Sequence, residues 1–112
     1  MTERARKYLF DRQDTIDRIG RFVQLTPTLA EYEAHELVRN AVERQLAVIG
    51  EAVDHYRREP GATELVDARR IIELRNRLIH SYDSIQHPVI WTILRRNLPA
   101  LRAEVTALLA AE

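Results

Sequence analysis

The sequence predicts an all-α protein, an up-and-down bundle of four to five helices, and three observations predict it. Apolar residues recur at spacings of three and four along nearly the whole chain. The β-branched residues fall inside that period and do not alternate with polar ones, so no strand pattern competes. The four prolines stand at or near the boundaries of the periodic stretches, where they stop or bend helices.

In chain order, Tyr8, Leu9, Ile16, Ile19, Phe22 and Val23 mark a first amphipathic helix from about residue 4 to 25, ended by Thr26-Pro27-Thr28. Thr28 can cap a second, long helix. Leu37, Val38, Ala41, Leu46, Val48, Ile49, Ala52 and Val53 carry it to about Arg58, and Pro60-Gly61 stops it. Thr63 is the expected N-cap of a third helix, with Glu64 and Asp67 in the first turn, where the helix dipole favours acids; it runs to about His80. Pro88 suits the first turn of a fourth helix bearing Val89, Ile90, Trp91, Ile93 and Leu94. Pro99 kinks or splits that helix, and Leu101, Val105, Leu108 and Leu109 continue its stripe. Helices this long in a small domain leave an apolar face for a second copy, so a homodimer is expected.

With 112 residues the chain suits one domain, residues 1–112, and 46% apolar residues is the composition of a folded globular protein. The absence of cysteine excludes a disulfide framework and thiolate metal sites, and fits a cytoplasmic protein. No apolar run approaches membrane-spanning length, and the N-terminal segment is broken by Asp11, Arg12 and Asp14, unlike a signal-peptide core. Net charge is zero, which argues against coating nucleic acid by charge alone. The distribution is uneven: Arg69 to Arg102 holds seven arginines against Glu73 and Asp83, a net +5 balanced by −5 elsewhere. That basic third is either solvated helix surface or a face for a polyanion.

On an ideal helix at about 100° per residue, Ile71, Ile72, Leu78, Ile79 and Tyr82 cluster on one side with Arg75 in their middle. An arginine so placed is paired, snorkels to water or faces a cleft, since burying its charge alone is expensive. Glu43, Glu51 and Asp54 of the second helix are the available acids for a purely structural salt bridge. His80 lies about 140° from Arg75 on a continuous helix, beside Asn76 and Glu73. The two converge only if the helix ends or bends near Ile79, or if a partner protomer supplies one of them. A helix C-terminus favours imidazolium, which suits a histidine that titrates near neutrality.

The run Arg75-x4-His80-x-Tyr82, with Asn76 after the arginine, resembles the R-x4-H-x-Y signature of HepT-type toxins in the HEPN superfamily of helical ribonucleases. Val48-Ile49-Gly50-Glu51-Ala52 resembles the I-G-E-A stretch of that family's long second helix, and Ile90-Trp91 with Asn97-Leu98-Pro99 resembles its last helical region. The similarity spans about Ala41 to Leu109. It implies a toxin of a toxin-antitoxin system that cleaves RNA, tRNA or mRNA, without a metal or cofactor, the 2′-hydroxyl attacking the adjacent phosphate. His80 would be the general base or acid. Arg75 would clamp the phosphate, and Asn76 would orient the imidazole or the phosphate. Arg77, Arg95 and Arg96 would bind the RNA backbone. The resemblance also implies a dimer with two motifs lining one cleft, and a minimal nucleotidyltransferase antitoxin that silences the enzyme by attaching adenylate to Tyr82 (AMPylation).

Two other readings compete. One is a non-catalytic, nucleotide-binding adaptor subunit of a minimal nucleotidyltransferase; the other is a helical dimerisation domain in which Arg75 forms a structural salt bridge. His35, His55 and His87 lack the close spacing of a zinc site, and Trp91 in its apolar stretch reads as core.

Overall fold

The computed structural model describes residues 2–80 and 87–111, with the side chains of residues 78–80 outside that description. Thr2 opens helix α1 (Glu3–Val23), its hydroxyl accepting the Ala5 N–H at 3.0 Å. One face of α1 buries Ala5, Leu9, Ile16 and Ile19, the stripe expected from the spacing.

Thr28 caps the next helix as its sequence position suggests, its Oγ1 accepting the Glu31 N–H at 3.2 Å. The single long second helix expected from the sequence is instead two. α2 (Leu29–Ala34) ends at His35, whose backbone leaves the helix at φ −104° and ψ 89°, and α3 (Glu36–Arg57) follows at once. The His35 imidazole makes the break possible, its Nδ1 accepting the Val38 N–H at 3.2 Å as an N-cap. The reason for the break is burial. On one straight helix Tyr32 would stand about 120° around from Val38, yet both are buried, at 0% and 3% exposure.

α3 is the central rod, burying Val38, Val42, Leu46, Ile49, Val53 and Tyr56 and packing against α1 on one side and α4 on the other. The turn after it uses Gly61 at φ +73°, a conformation L side chains rarely adopt. Residues 62–67 then remain outside any helix, so Thr63 does not cap as expected. Tertiary partners take the local N–H groups instead. Thr63 N–H donates to the Tyr56 hydroxyl at 3.1 Å, and the Glu104 carboxylate accepts Val66 N–H at 2.8 Å and Asp67 N–H at 3.2 Å. Leu65 tucks into the core, and α4 begins four residues late and spans Ala68–His80.

The last rod is α5 (His87–Thr92), one wide turn over Ile93–Asn97, and α6 (Leu98–Ala110). In the wide turn Leu98 N–H bonds to Ile93 O, five residues back. Pro99 explains it: proline brings no N–H and its ring crowds the carbonyl four residues earlier, so the helix widens just before it. α6 packs on α1 and the wide turn on α4, which closes four long rods around one core, with α2 as a short fifth. The fold is the expected all-helical bundle, and no strand occurs among the described residues. Among them no helix is long and apolar enough to cross a membrane.

Candidate functional site

α4 crosses α3 at Gly50. A Cβ built there would stand 2.9 Å from Arg75 Cγ and 3.1 Å from the Ile71 carbonyl, and nearer still to Arg75 Cβ. The missing side chain is therefore the seat on which the Arg75 stem lies. Ile71 and Leu74 are buried on the same side of α4, while Arg75 is half-buried. This is the arrangement expected of an arginine centred in an apolar stripe: buried methylenes and a charged head carried to the edge.

The head is only partly engaged. Arg75 Nη1 donates to Asn76 Oδ1 at 3.0 Å, while Nε is buried and makes no hydrogen bond among the described residues. Two of the three acids considered for a structural pair are turned along α3 instead. Asp54 is approached by Arg57 at 2.7 Å, without hydrogen-bond alignment, and by Arg58 at 2.9 Å. Glu51 stands 3.8 Å from His55. Glu43, the third, is buried in α3 at 7% exposure. An Nε–H with its neighbouring Nη–H forms the planar fork that takes two oxygens of one phosphate or carboxylate.

His80 is the last described residue of α4, and its side chain lies outside the described residues. Tyr82 lies outside them altogether. Asn76, beside Arg75, is exposed and bonded to it. Of the three arginines expected to hold the RNA backbone, Arg77 and Arg95 line different grooves. Arg77 borders a shallow groove between α4 and α5 with Arg70, Glu73, Leu74, Val89 and Ile93. Arg95 lies over the Trp91 ring at 4.5 Å and donates to the Pro27 carbonyl at 2.8 Å, lining a different groove between α1 and α6. Arg96 is exposed on the wide turn.

Two features escaped the sequence reading. Gly50 belonged to a recognisable stretch, but its use as a seat appears only when two helices cross. The second is a polar anchor at the start of α5. Arg39 Nη1 stands 3.3 Å from His87 Nε2, which makes Nε2 the acceptor, while the His87 ring meets Tyr32 edge-on at 6.4 Å and Tyr32 meets Trp91 at 5.4 Å. These contacts tie α2, α3 and α5 together directly after the segment containing Tyr82. A lone arginine and a lone histidine 48 residues apart carry no local signal. No cluster of three or more metal-capable side chains occurs among the described residues.

Comparison with known proteins agrees with this architecture. A candidate RNase of Methanocaldococcus jannaschii is 33% identical over 78 residues, 67% of this chain and 70% of that protein. A candidate RNase of Caldanaerobacter subterraneus subsp. tengcongensis is 30% identical over 77 residues, 68% of this chain and 69% of that protein. No solved structure matches at a significant level. Residues 12–108, which take in α2 to α5, most of α6, the second half of α1 and the Arg75 to Tyr82 segment, match the HepT-like ribonucleases. The chain belongs to the HepT-like ribonuclease family.

Proposed function

We propose that this ribonuclease is a metal-independent endoribonuclease whose working residues are Arg75, His80 and Asn76. The observation that carries the reading is the half-buried Arg75, seated on Gly50 with its Nε donor unspent. In the reaction the RNA 2′-oxygen attacks the adjacent phosphorus, its proton passing to a general base. The new P–O2′ bond forms as the P–O5′ bond breaks, and a general acid delivers a proton to the departing 5′-oxygen. The products are a 2′,3′-cyclic phosphate and a 5′-hydroxyl. His80 serves as base or acid. Arg75 binds the non-bridging oxygens, on which charge grows in the transition state, and Asn76 fixes the guanidinium plane. Pairing of two protomers would bring two copies of the motif to one cleft, supplying base and acid from separate chains. Arg77, on the groove between α4 and α5, and Arg96, exposed on the wide turn, hold backbone phosphates, while Arg95 is committed to the Trp91 ring and the Pro27 carbonyl.

The same reading makes the chain the toxin of a toxin-antitoxin pair, with Tyr82 as the residue adenylylated by a nucleotidyltransferase antitoxin. An AMP group there adds bulk and negative charge two residues from the catalytic imidazole and repels substrate phosphates. The test is cleavage of RNA by purified protein in EDTA with identification of the ends. Cyclic-phosphate termini, lost in Arg75→Ala and His80→Ala while the fold persists, are the expected result. Full activity in either variant would sink the proposal.

A further inference from the structure

The structure has a second groove whose features point away from RNA. It lies between the C-terminal half of α1 and the wide turn that leads into α6, encloses about 620 Å³, and is walled by Gly20, Val23, Pro27 and Pro99. Its floor is the outer edge of the core, Ile16, Ile19, Leu94 and Leu98. Its rim carries Arg21, Arg95 and Arg102 against one acid, Asp17. That acid is already bound by Arg102 in two hydrogen bonds, at 2.6 and 3.1 Å. The rim is therefore left with a net charge of two positive groups.

Gly20 is the second observation. A glycine inside a helix weakens it relative to alanine, and Gly50 has an internal reason to be glycine in the Arg75 stem. Gly20 has none: a Cβ placed there meets nothing within 4 Å. The residue leaves the backbone of α1 bare at the centre of the groove, where a small residue allows another backbone to come close. The opposite wall is also peculiar. Pro99 has no N–H to offer the carbonyls of Leu94 and Arg95, the two residues of the wide turn that line the groove.

We propose that this groove is the docking site for an acidic amphipathic helix of a partner protein. Its apolar residues would cover Val23, Pro27 and Pro99, its backbone would cross at Gly20, and its carboxylates would meet Arg21 and the Arg95–Arg102 side of the rim. The groove follows α1 from Ile16 to Gln24, about 12 Å at 1.5 Å per residue, which matches two to three turns of helix. Single-stranded RNA fits less well, since it favours exposed aromatic platforms. The one indole here is already engaged by Arg95 and Tyr32.

The experiment is a selection of randomised helical peptides, displayed on their encoding mRNA, against the full chain, with the Gly20→Leu variant as counter-target. Enriched binders should combine apolar residues at i, i+3 or i+4 and i+7 with flanking Glu or Asp. Gly20→Leu and, separately, Arg21→Glu should weaken them at least tenfold, while both variants keep their melting temperature and their RNA cleavage. Binders without acids, binders indifferent to Gly20→Leu, or no enrichment at all would overturn the proposal. So would loss of RNA cleavage in Gly20→Leu, which assigns the groove to substrate, or dissociation of a wild-type dimer by that change, which assigns it to a second copy. Failure of the ribonuclease proposal would leave these binding outcomes untouched.

Discussion

Substituting Gly50 by alanine separates the position of Arg75 from the stability of the bundle. The added methyl group would stand 2.9 Å from Arg75 Cγ and 3.1 Å from the Ile71 carbonyl oxygen, and closer to Arg75 Cβ. Carbon atoms rest about 3.5–4.0 Å apart, so α4 must retreat from α3 by about 1 Å or more at this crossing to clear Arg75 Cβ. Two terms then oppose each other in stability. Alanine improves the α3 helix by about 1 kcal/mol over glycine, and overpacking of a tight contact costs about 1–3 kcal/mol. The net loss is about 2 kcal/mol at most, which the bundle should survive. Activity is far more sensitive, because displacing a catalytic group by about 1 Å costs on the order of 100-fold. Thermal melting and single-turnover cleavage of a short RNA would be measured side by side. A modestly lowered melting temperature with cleavage down about 100-fold is expected. Unchanged cleavage in a folded Gly50→Ala protein would refute the seat as the device that places Arg75.

Arg75→Lys should not rescue cleavage, since a point charge cannot reproduce the two-donor fork; a fall of about 10²–10³-fold in kcat is expected from steady-state assays. Glu104→Ala removes the acceptor for the Val66 and Asp67 N–H groups and should cost about 1–3 kcal/mol. Hydrogen exchange should rise first at those two amides and the start of α4. Asp17→Asn tests a pH-linked contact, because the hydrogen bond from Arg102 holds the Asp17 carboxyl below its ordinary value of 3.8. A depressed acid stabilises the fold above its unfolded pKa and loses that contribution as pH falls through the folded one. Both side chains are over 40% exposed, so solvent screening keeps the effect below about 1 kcal/mol. The melting difference between wild type and Asp17→Asn should be small at pH 7, begin to shrink near about pH 4 and vanish only once pH falls below the depressed folded value.

How much of this was legible depended on how local each cause is. Thr28 announces its cap because the partner N–H is three residues away, and Pro99 announces a disturbance because its ring acts on its own helix. His35 gives no such notice. Histidine is no helix breaker, and the chain turns there because Tyr32 must enter the core beneath Trp91. Thr63 has the sequence of a cap, but Glu104, 38 and 37 residues beyond Val66 and Asp67, claims the neighbouring amides and delays the helix. In the site, Arg75 was visible as a charge within an apolar stripe, while Gly50 contributes by lacking atoms and shows its use only against α4. The expected meeting of Arg75 with His80 concerns a side chain outside the described residues, and Tyr82 lies there too.

The Glu104 clamp on Val66 and Asp67, reinforced by Asn97 Nδ2 donating to Asp67 Oδ1 at 3.1 Å, has a consequence for insertions and deletions. It fixes where α4 starts, and everything downstream is counted from that point. A residue added between Gly61 and Leu65 would be taken up in the connecting loop, leaving Arg75 over Gly50. A residue added between Ala68 and Leu74 would turn Arg75 by about 100° around α4 and lift it off its seat. Length variation among natural relatives that cleave RNA should therefore be found before the clamp and be absent between it and the motif.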